Sequence, residues 1–418
     1  MRYQLDKRAV LVAGCAAVFG AFSPVPLEAA EYRLLPVVVL SEEYNDNLFQ
    51  EAHNRRTDYV TRVQPSLLFN TQGGGFSCDL TYGIDYKHYA KDSRDDEFDH
   101  RAAFKGNLHF WDGFLKVDLS DSYSRVSTNV ARDVVSESLV VNQTEQNLAV
   151  ISPYLTWRLA PSTTLKTGYR YTDTRYWGPQ GIDKIQHDGY AEVEREVKAG
   201  LLVSAGYNFA HISAEPTDLD RHDIYGGFRY LFSQGSFLNG KVGNSWQSFS
   251  NGVSTSDPFW DIGIGKDFGV VTATIGTKAQ YTEDPLTLST RNTSYYGTLN
   301  RVFQRGTASF TASYNEYEKD QLAIPETQRK VLLAASGRYE FRPDLNLSMT
   351  LSGDRLEQSA TAATYPYHLY GNFALEYALS KHTVLGANYS WISYRHQLDS
   401  AANAAEVNRA IVEMRLSL

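Results

Sequence analysis

Cysteine is almost missing from this chain: 418 residues hold two, Cys15 and Cys78. That is too few for a disulfide scaffold or a cysteine-rich metal site. Basic charge is in deficit, 40 Lys and Arg against 48 Asp and Glu, which argues against a nucleic-acid binder with its basic patch. Long apolar runs are missing beyond residue 30. The run Leu34 to Leu40 is far short of the roughly 20 residues that a transmembrane helix needs. Nucleophile elbow, zinc-protease helix, phosphate-binding loop, dinucleotide fingerprint and haem-attachment motif are all lacking. No cofactor is therefore expected, and the chain is not read as an enzyme. Linkers and shifts of composition are absent too, although the chain exceeds the roughly 250–300 residues at which one soluble core stops growing.

Aromatic residues are plentiful, at 13%, and apolar residues reach 42%, which excludes a disordered chain. The N-terminus has the three parts of a secretory signal. Arg2, Lys7 and Arg8 are followed by the apolar stretch Ala9 to Phe22 and by small residues at Ala29 and Ala30. Residues 1–30 are expected to be a cleaved signal peptide and residues 31–418 a single domain. Val12-Ala13-Gly14-Cys15 resembles a lipobox, but the apolar run continues past Cys15.

From there the chain alternates with a period of two. From Phe76 to Tyr86 every even-numbered residue is apolar or aromatic and every odd one small or polar, and 271–281 and 345–351 repeat the pattern. This is a strand with one greasy and one wet face. Short breaks rich in Gly, Pro, Asp and Ser, such as 73–75, 198–200 and 342–344, alternate with longer polar ones, such as 45–57, 126–143 and 284–290. The count comes to twenty strands, with eighteen as the nearest alternative. Strands this long exceed the five or six residues usual in soluble sheets and suit a tilted crossing of a bilayer, which takes about 9–11. A membrane tolerates no open sheet edge, so the sheet must close. The expected fold is all-β: a closed antiparallel transmembrane β-barrel with short periplasmic turns and longer extracellular loops, in the outer membrane of a Gram-negative bacterium.

The apolar face then meets lipid and the polar face lines the lumen. Cys78 falls on the lipid side. Aromatics near strand ends, including Phe110, Trp157, Phe232, Phe268, Phe303 and Phe341, suit interfacial girdles. The expected pore-lining residues are Arg62, Asp79, Asp85, Lys105, Lys116, Asp118, Lys166, Arg170, Glu192, Glu194, Lys241, Lys278, Arg338, Glu376, Glu413 and Arg415. Their signs are mixed, which fits a weakly selective channel, because strong selectivity uses rings of one sign. Pairing across the wall that merely holds the barrel's shape is the alternative role. Loop 126–143 either folds inward or lies on the surface, and its sequence does not choose. Histidines cluster near strand ends (His88, His100, His187, His222, His368, His396), but no spacing selects a catalytic pair.

Leu40-Ser-Glu-Glu-Tyr-Asn-Asp-Asn-Leu-Phe49, Asp58-Tyr-Val-Thr-Arg-Val-Gln-Pro-Ser-Leu-Leu68 and Leu80-Thr-Tyr-Gly-Ile-Asp-Tyr86 resemble the β-barrel porins of Gram-negative bacteria with a Y-x-D-N first loop and a P-x-L/I second strand. The resemblance implies a channel linked to exopolysaccharide production or export. Its expected partners are outer-membrane lipids and lipopolysaccharide, the barrel-assembly machinery, and a polysaccharide or a periplasmic export partner, with no nucleic acid. The C-terminal Leu418 departs from the aromatic that commonly ends such barrels. Two other functions fit the fold: a sheath around a periplasmic partner such as an electron-transfer cytochrome, and an outer-membrane hydrolase.

Overall fold

The computed structural model describes residues 31–132, 143–178, 180–319, 326–358, 365–400 and 402–418. The proposed signal segment lies outside them. Twenty antiparallel strands form one sheet. In chain order they are β1 (Glu31–Asn45), β2 (Asp58–Gly73), β3 (Phe76–Tyr89), β4 (Glu97–Phe110), β5 (Leu115–Ser127), β6 (Gln143–Ala160), β7 (Thr163–Trp177), β8 (Lys184–Lys198), β9 (Leu201–Ser213), β10 (Leu219–Ser233), β11 (Ser236–Phe249), β12 (Ser254–Asp267), β13 (Thr272–Asp284), β14 (Thr287–Phe303), β15 (Gly306–Lys319), β16 (Glu326–Arg342), β17 (Leu345–Gln358), β18 (Tyr367–Ala378), β19 (Thr383–Arg395) and β20 (Ala405–Ser417). Each pairs with its neighbours in sequence, and β1 pairs with β20 from Val37↔Ser417 to Asn45↔Arg409. That seam closes the ring, so no edge strand is left to meet lipid with unpaired amides.

Glycine makes the tight turns at one end possible. Gly200 and Gly269 have φ of +78° and +80°, and a Cβ on Gly200 would stand 2.8 Å from the Leu231 carbonyl oxygen. An L-residue would be strained there. Longer loops fill most of the other end, which by the asymmetry of such barrels is the extracellular one; the expected longer break at 284–290 is instead a tight turn, Pro285 and Leu286 alone joining β13 to β14.

The alternation seen in the sequence survives as two faces. Ile275, Leu333 and Val412 are 66%, 52% and 67% exposed, while their neighbours Thr274, Ala334 and Glu413 are half-buried. A soluble protein would not leave a continuous belt of such side chains in water. Phe110, Trp157, Phe232, Phe268, Phe303 and Phe341 are exposed near the turn end of this belt, where an interfacial girdle belongs. Cys78 pairs with Thr71 and Gly106 in register, on the same face as Leu80 and its partner Phe69. The architecture is that of an outer-membrane β-barrel.

Candidate channel lumen and mouth

Register fixes which way each side chain faces, because directly paired residues share a side of the sheet. Starting from Arg62, the pairs Arg62↔Lys87, Asp79↔Lys105, Asp118↔Ser152, Lys116↔Tyr154 and Lys166↔Glu192 run around one half of the inner wall. Tyr154↔Gly168 and Arg170↔Asp188 lie on the same face, as do Asp85 on β3 and Glu194 on β8. The row continues through Lys241↔Asp261↔Lys278 and Arg338↔Ser348 to Glu376↔Gly386↔Glu413, with Arg415 two residues beyond. Every residue expected from the sequence to line the pore therefore shares the face opposite the apolar belt.

Opposite charges meet across strands on this wall. Arg62 Nη2 lies 2.5 Å from Asp85 Oδ2, and Arg62 Nη1 lies 3.8 Å from Glu43 Oε2. Lys278 Nζ is 3.8 Å from Asp261 Oδ2. Arg415 Nη2 reaches Glu413 at 3.3 Å and Glu376 at 3.8 Å. Asn107 Nδ2 donates to Asp118 at 3.4 Å, and Asn70 donates to Asp79. Lysines also lie over rings, Lys166 Nζ 3.9 Å from the centroid of Tyr154 and Lys241 Nζ 3.6 Å from that of Tyr225. The ion pairs neutralise charge locally and the rings hold the lysines in place, so among the described residues both signs are interspersed along the wall.

The two ends of the lumen differ. Towards the turns, inner-face side chains such as Asp79, Lys105 and Glu194 are exposed. Towards the loops they are packed: Asp58, Asp188, Gln247 and His368 are 0%, 1%, 1% and 2% exposed. Loops folding over the mouth cause this. Ile212, Leu219, Phe249 and Leu288 pack together with Ile182, Ala214 and Val253 from neighbouring loops. On the far side Ile392, Tyr394, Ala405 and Val407 form a second cluster, and Leu48, Val60 and Tyr89 a third. Polar links tie the loops: Lys184 Nζ donates to Glu283 at 2.5 Å and to the Asp284 carbonyl at 2.6 Å, and the Ile182 amide donates to the Pro285 carbonyl at 2.8 Å. On the outer rim Asp96 accepts from the Tyr86 hydroxyl at 2.8 Å and lies 3.0 Å from His88 Nδ1. The hydroxyl bond, with His88 second, holds the Asp96 carboxyl below the usual carboxylate range.

The segment after β5 crosses the mouth. Ser127 Oγ accepts the Asn129 amide at 3.1 Å and Asn129 Oδ1 accepts the Ala131 amide at 2.9 Å, side-chain turns that curl the backbone. Ala131 is 3% exposed, and its carbonyl accepts from Lys330 Nζ at 2.8 Å. Arg132 Nη2 donates to the Tyr365 carbonyl at 3.4 Å. β5 and β16 stand on opposite sides of the ring, so residues 128–132, closed by the Arg132 amide donating to the Asn129 carbonyl at 2.9 Å, form a turned strap that reaches into the opening and meets the long side chain of Lys330. Of the two courses the sequence left open for loop 126–143, the described part takes the inward one; residues 133–142 lie outside the described residues. Beneath the strap Lys330 stands 3.9 Å from buried Asp354, which pairs with His368 at 2.9 Å. Lys330 shares the inner face of β16 with Arg338, eight residues along the strand, which the alternation alone marks as polar. Its partner Ala131, 199 positions away, was not legible, because a small apolar residue in a loop carries no signal.

No protein-family model matches the chain, and no curated protein matches it. Solved structures resemble it in fold. The FrpB iron transporter from Neisseria meningitidis aligns with a TM-score of 0.55 at 9% identity, over 94% of this chain and 82% of its own. The ferric-catecholate import receptor Fiu from E. coli K12 gives 0.53 at 8%, over 91% and 81%. The ferric enterobactin receptor PfeA from Pseudomonas aeruginosa gives 0.54 at 9%, over 92% and 80%. At such identities the likeness is one of fold.

Proposed function

We propose that the chain is an outer-membrane channel, narrowed at its extracellular mouth by the strap, that serves exopolysaccharide production or export. The observation that carries the channel reading is the contrast along the lumen: polar and solvent-exposed side chains below, a packed mouth above. Support for the polymer comes from the wall opposite the charged one. Between Lys319, Lys330 and Asp354 above and Arg338 and Glu376 below, the inner positions are uncharged: Leu332, Ala334 and Ala374 are apolar, and among the polar ones are Tyr296 and Ser294 on β14, Ser309 and Ser313 on β15, Ser336 on β16, Thr350 on β17, Asn372 on β18 and Asn388 on β19. Hydroxyl and amide side chains both donate and accept hydrogen bonds, matching the hydroxyls of a sugar chain, and pore selectivity follows such lining groups.

The test is genetic. Deleting the gene from its native host is expected to leave polymer in the periplasm and strip it from the cell surface, with the full chain restoring export. Unchanged surface polymer in the deletion strain would remove the polysaccharide from this reading.

A further inference from the structure

The outer wall carries a constellation that the channel does not use. His211 and Ser213 are two residues apart near the end of β9 and so share a face. Asp220, opposite His211 in the β9–β10 register, joins them. Ser213 Oγ lies 3.1 Å from His211 Nε2, and His211 Nδ1 lies 2.6 Å from Asp220 Oδ1. A hydroxyl on one ring nitrogen and a carboxylate on the other is the order of parts in a serine hydrolase, where the carboxylate fixes the tautomer that leaves Nε2 free to take the hydroxyl proton. The other histidine–carboxylate pairs at strand ends are placed differently: His88 meets Asp96 on the rim, and His368 meets Asp354 deep under the strap.

Position supplies the substrate class. Along β9 the outward residues run Val203, Ala205, Tyr207, Phe209, His211, Ser213, and Tyr207 is 41% exposed in the apolar belt. On β10 the outward Ile224 is 52% exposed. The site therefore sits just above the aromatic level, where lipid headgroups and their ester linkages lie. We propose that Ser213, His211 and Asp220 form a catalytic site that hydrolyses acyl esters of membrane lipids, independently of the channel.

In the first step Ser213 Oγ attacks the ester carbonyl carbon while His211 Nε2 takes its proton. The tetrahedral intermediate collapses, His211 returns that proton to the departing alkoxide, and the alcohol leaves an acyl-serine. Water, deprotonated by His211, then attacks the acyl-serine, releasing the fatty acid and restoring the hydroxyl. Asp220 keeps the ring oriented and stabilises its charged form. His187, directly opposite His211 on β8, has the Tyr169 hydroxyl 2.6 Å from its Nδ1. His187 thus stands beside His211 on the outer wall, the neighbour from which a donor to the developing oxyanion would come.

The test uses the full-length chain folded in mixed micelles, with a fluorophosphonate as the covalent probe and 4-nitrophenyl octanoate as the turnover probe. The fluorophosphonate should be found on Ser213 by peptide mass. Ser213→Ala should abolish both labelling and turnover, and Asp220→Asn should slow turnover by about a hundredfold or more. All three positions are exposed or half-exposed, and heat-modifiable mobility on gels reports that each variant folds. Vesicles of phosphatidylethanolamine and of lipid A separate the two sources of acyl ester by the fatty acids released. Folded protein without an adduct on Ser213, or turnover unchanged in Ser213→Ala, overturns the site. An adduct with no fatty acid released from either vesicle overturns lipid as the substrate.

Discussion

Replacing residues 129–141 with a short Gly-Ser link is expected to raise the single-channel conductance of the purified barrel several-fold. The strap reaches inward from the end of β5 to meet the Lys330 ammonium from the opposite wall, so this contact stands within the opening. Buried Ala131 means that this backbone is packed and does not yield to ions in transit. Lys330→Ala should produce a milder form of the same result, flickering between a low and a high level. It removes one anchor and leaves the Arg132 contact to the Tyr365 carbonyl. It also leaves buried Asp354 without its neighbouring ammonium, and a buried charge that loses a partner is costly, so some loss of stability should accompany the gating change. Planar-bilayer recordings of the three proteins decide the matter. Equal conductance in all three would mean that the other inward-folded loops, not the strap, set the resistance.

The second large effect concerns the wall. Ile275→Arg should cut the yield of folded barrel sharply, because an arginine facing lipid at mid-membrane costs about 2–4 kcal/mol. Ile275 is 66% exposed in the apolar belt. Thr274→Arg, one residue away, puts the same guanidinium into the lumen, beside Gly265 and Thr298 in register, and should fold normally. The pair Leu347→Arg and Ser348→Arg on β17 should repeat the contrast more weakly, because Leu347 pairs with Tyr339 close to the aromatic girdle, where the cost of a charge falls. Heat-modifiable mobility reads folding in all four. Failure of the Thr274 and Ser348 variants alongside folding of their neighbours would invert the two faces.

The barrel itself was legible because its physics is local and repeated. Alternation between Phe76 and Tyr86 states which face of β3 is wet without reference to any other strand, and the Gly, Pro and Asp breaks mark where each hairpin turns. The strand count and the lumen face follow from those two signals. The mouth was not legible, for reasons of distance. Ala131 and Lys330, or Lys184 and Glu283, meet across the ring, and no period in sequence links them. The outer-wall site falls in between. His211 and Ser213 two apart on a strand were readable as sharing a face, and Asp220 needed only the register of one hairpin. Their signal was hidden among other histidines near strand ends, which structure resolves into distinct partners: Tyr82 with His100 at 2.7 Å and Tyr207 with His222 at 2.7 Å.

The central claim, a water-filled lumen entered from the periplasm and narrowed towards the outside, is tested most directly by thiol accessibility. In a Cys78→Ser background, Thr350→Cys places a thiol on the inner wall and Leu351→Cys places one on the outer wall, where Leu351 is 43% exposed. A charged, membrane-impermeant methanethiosulfonate should modify the cysteine at 350 when it reaches the periplasmic side, and react slowly with it when added to intact cells. The cysteine at 351 should resist that reagent from both sides and react with a lipid-soluble maleimide. Equal reaction of the two cysteines with the charged reagent, or rapid reaction at 350 from outside intact cells, would contradict the account.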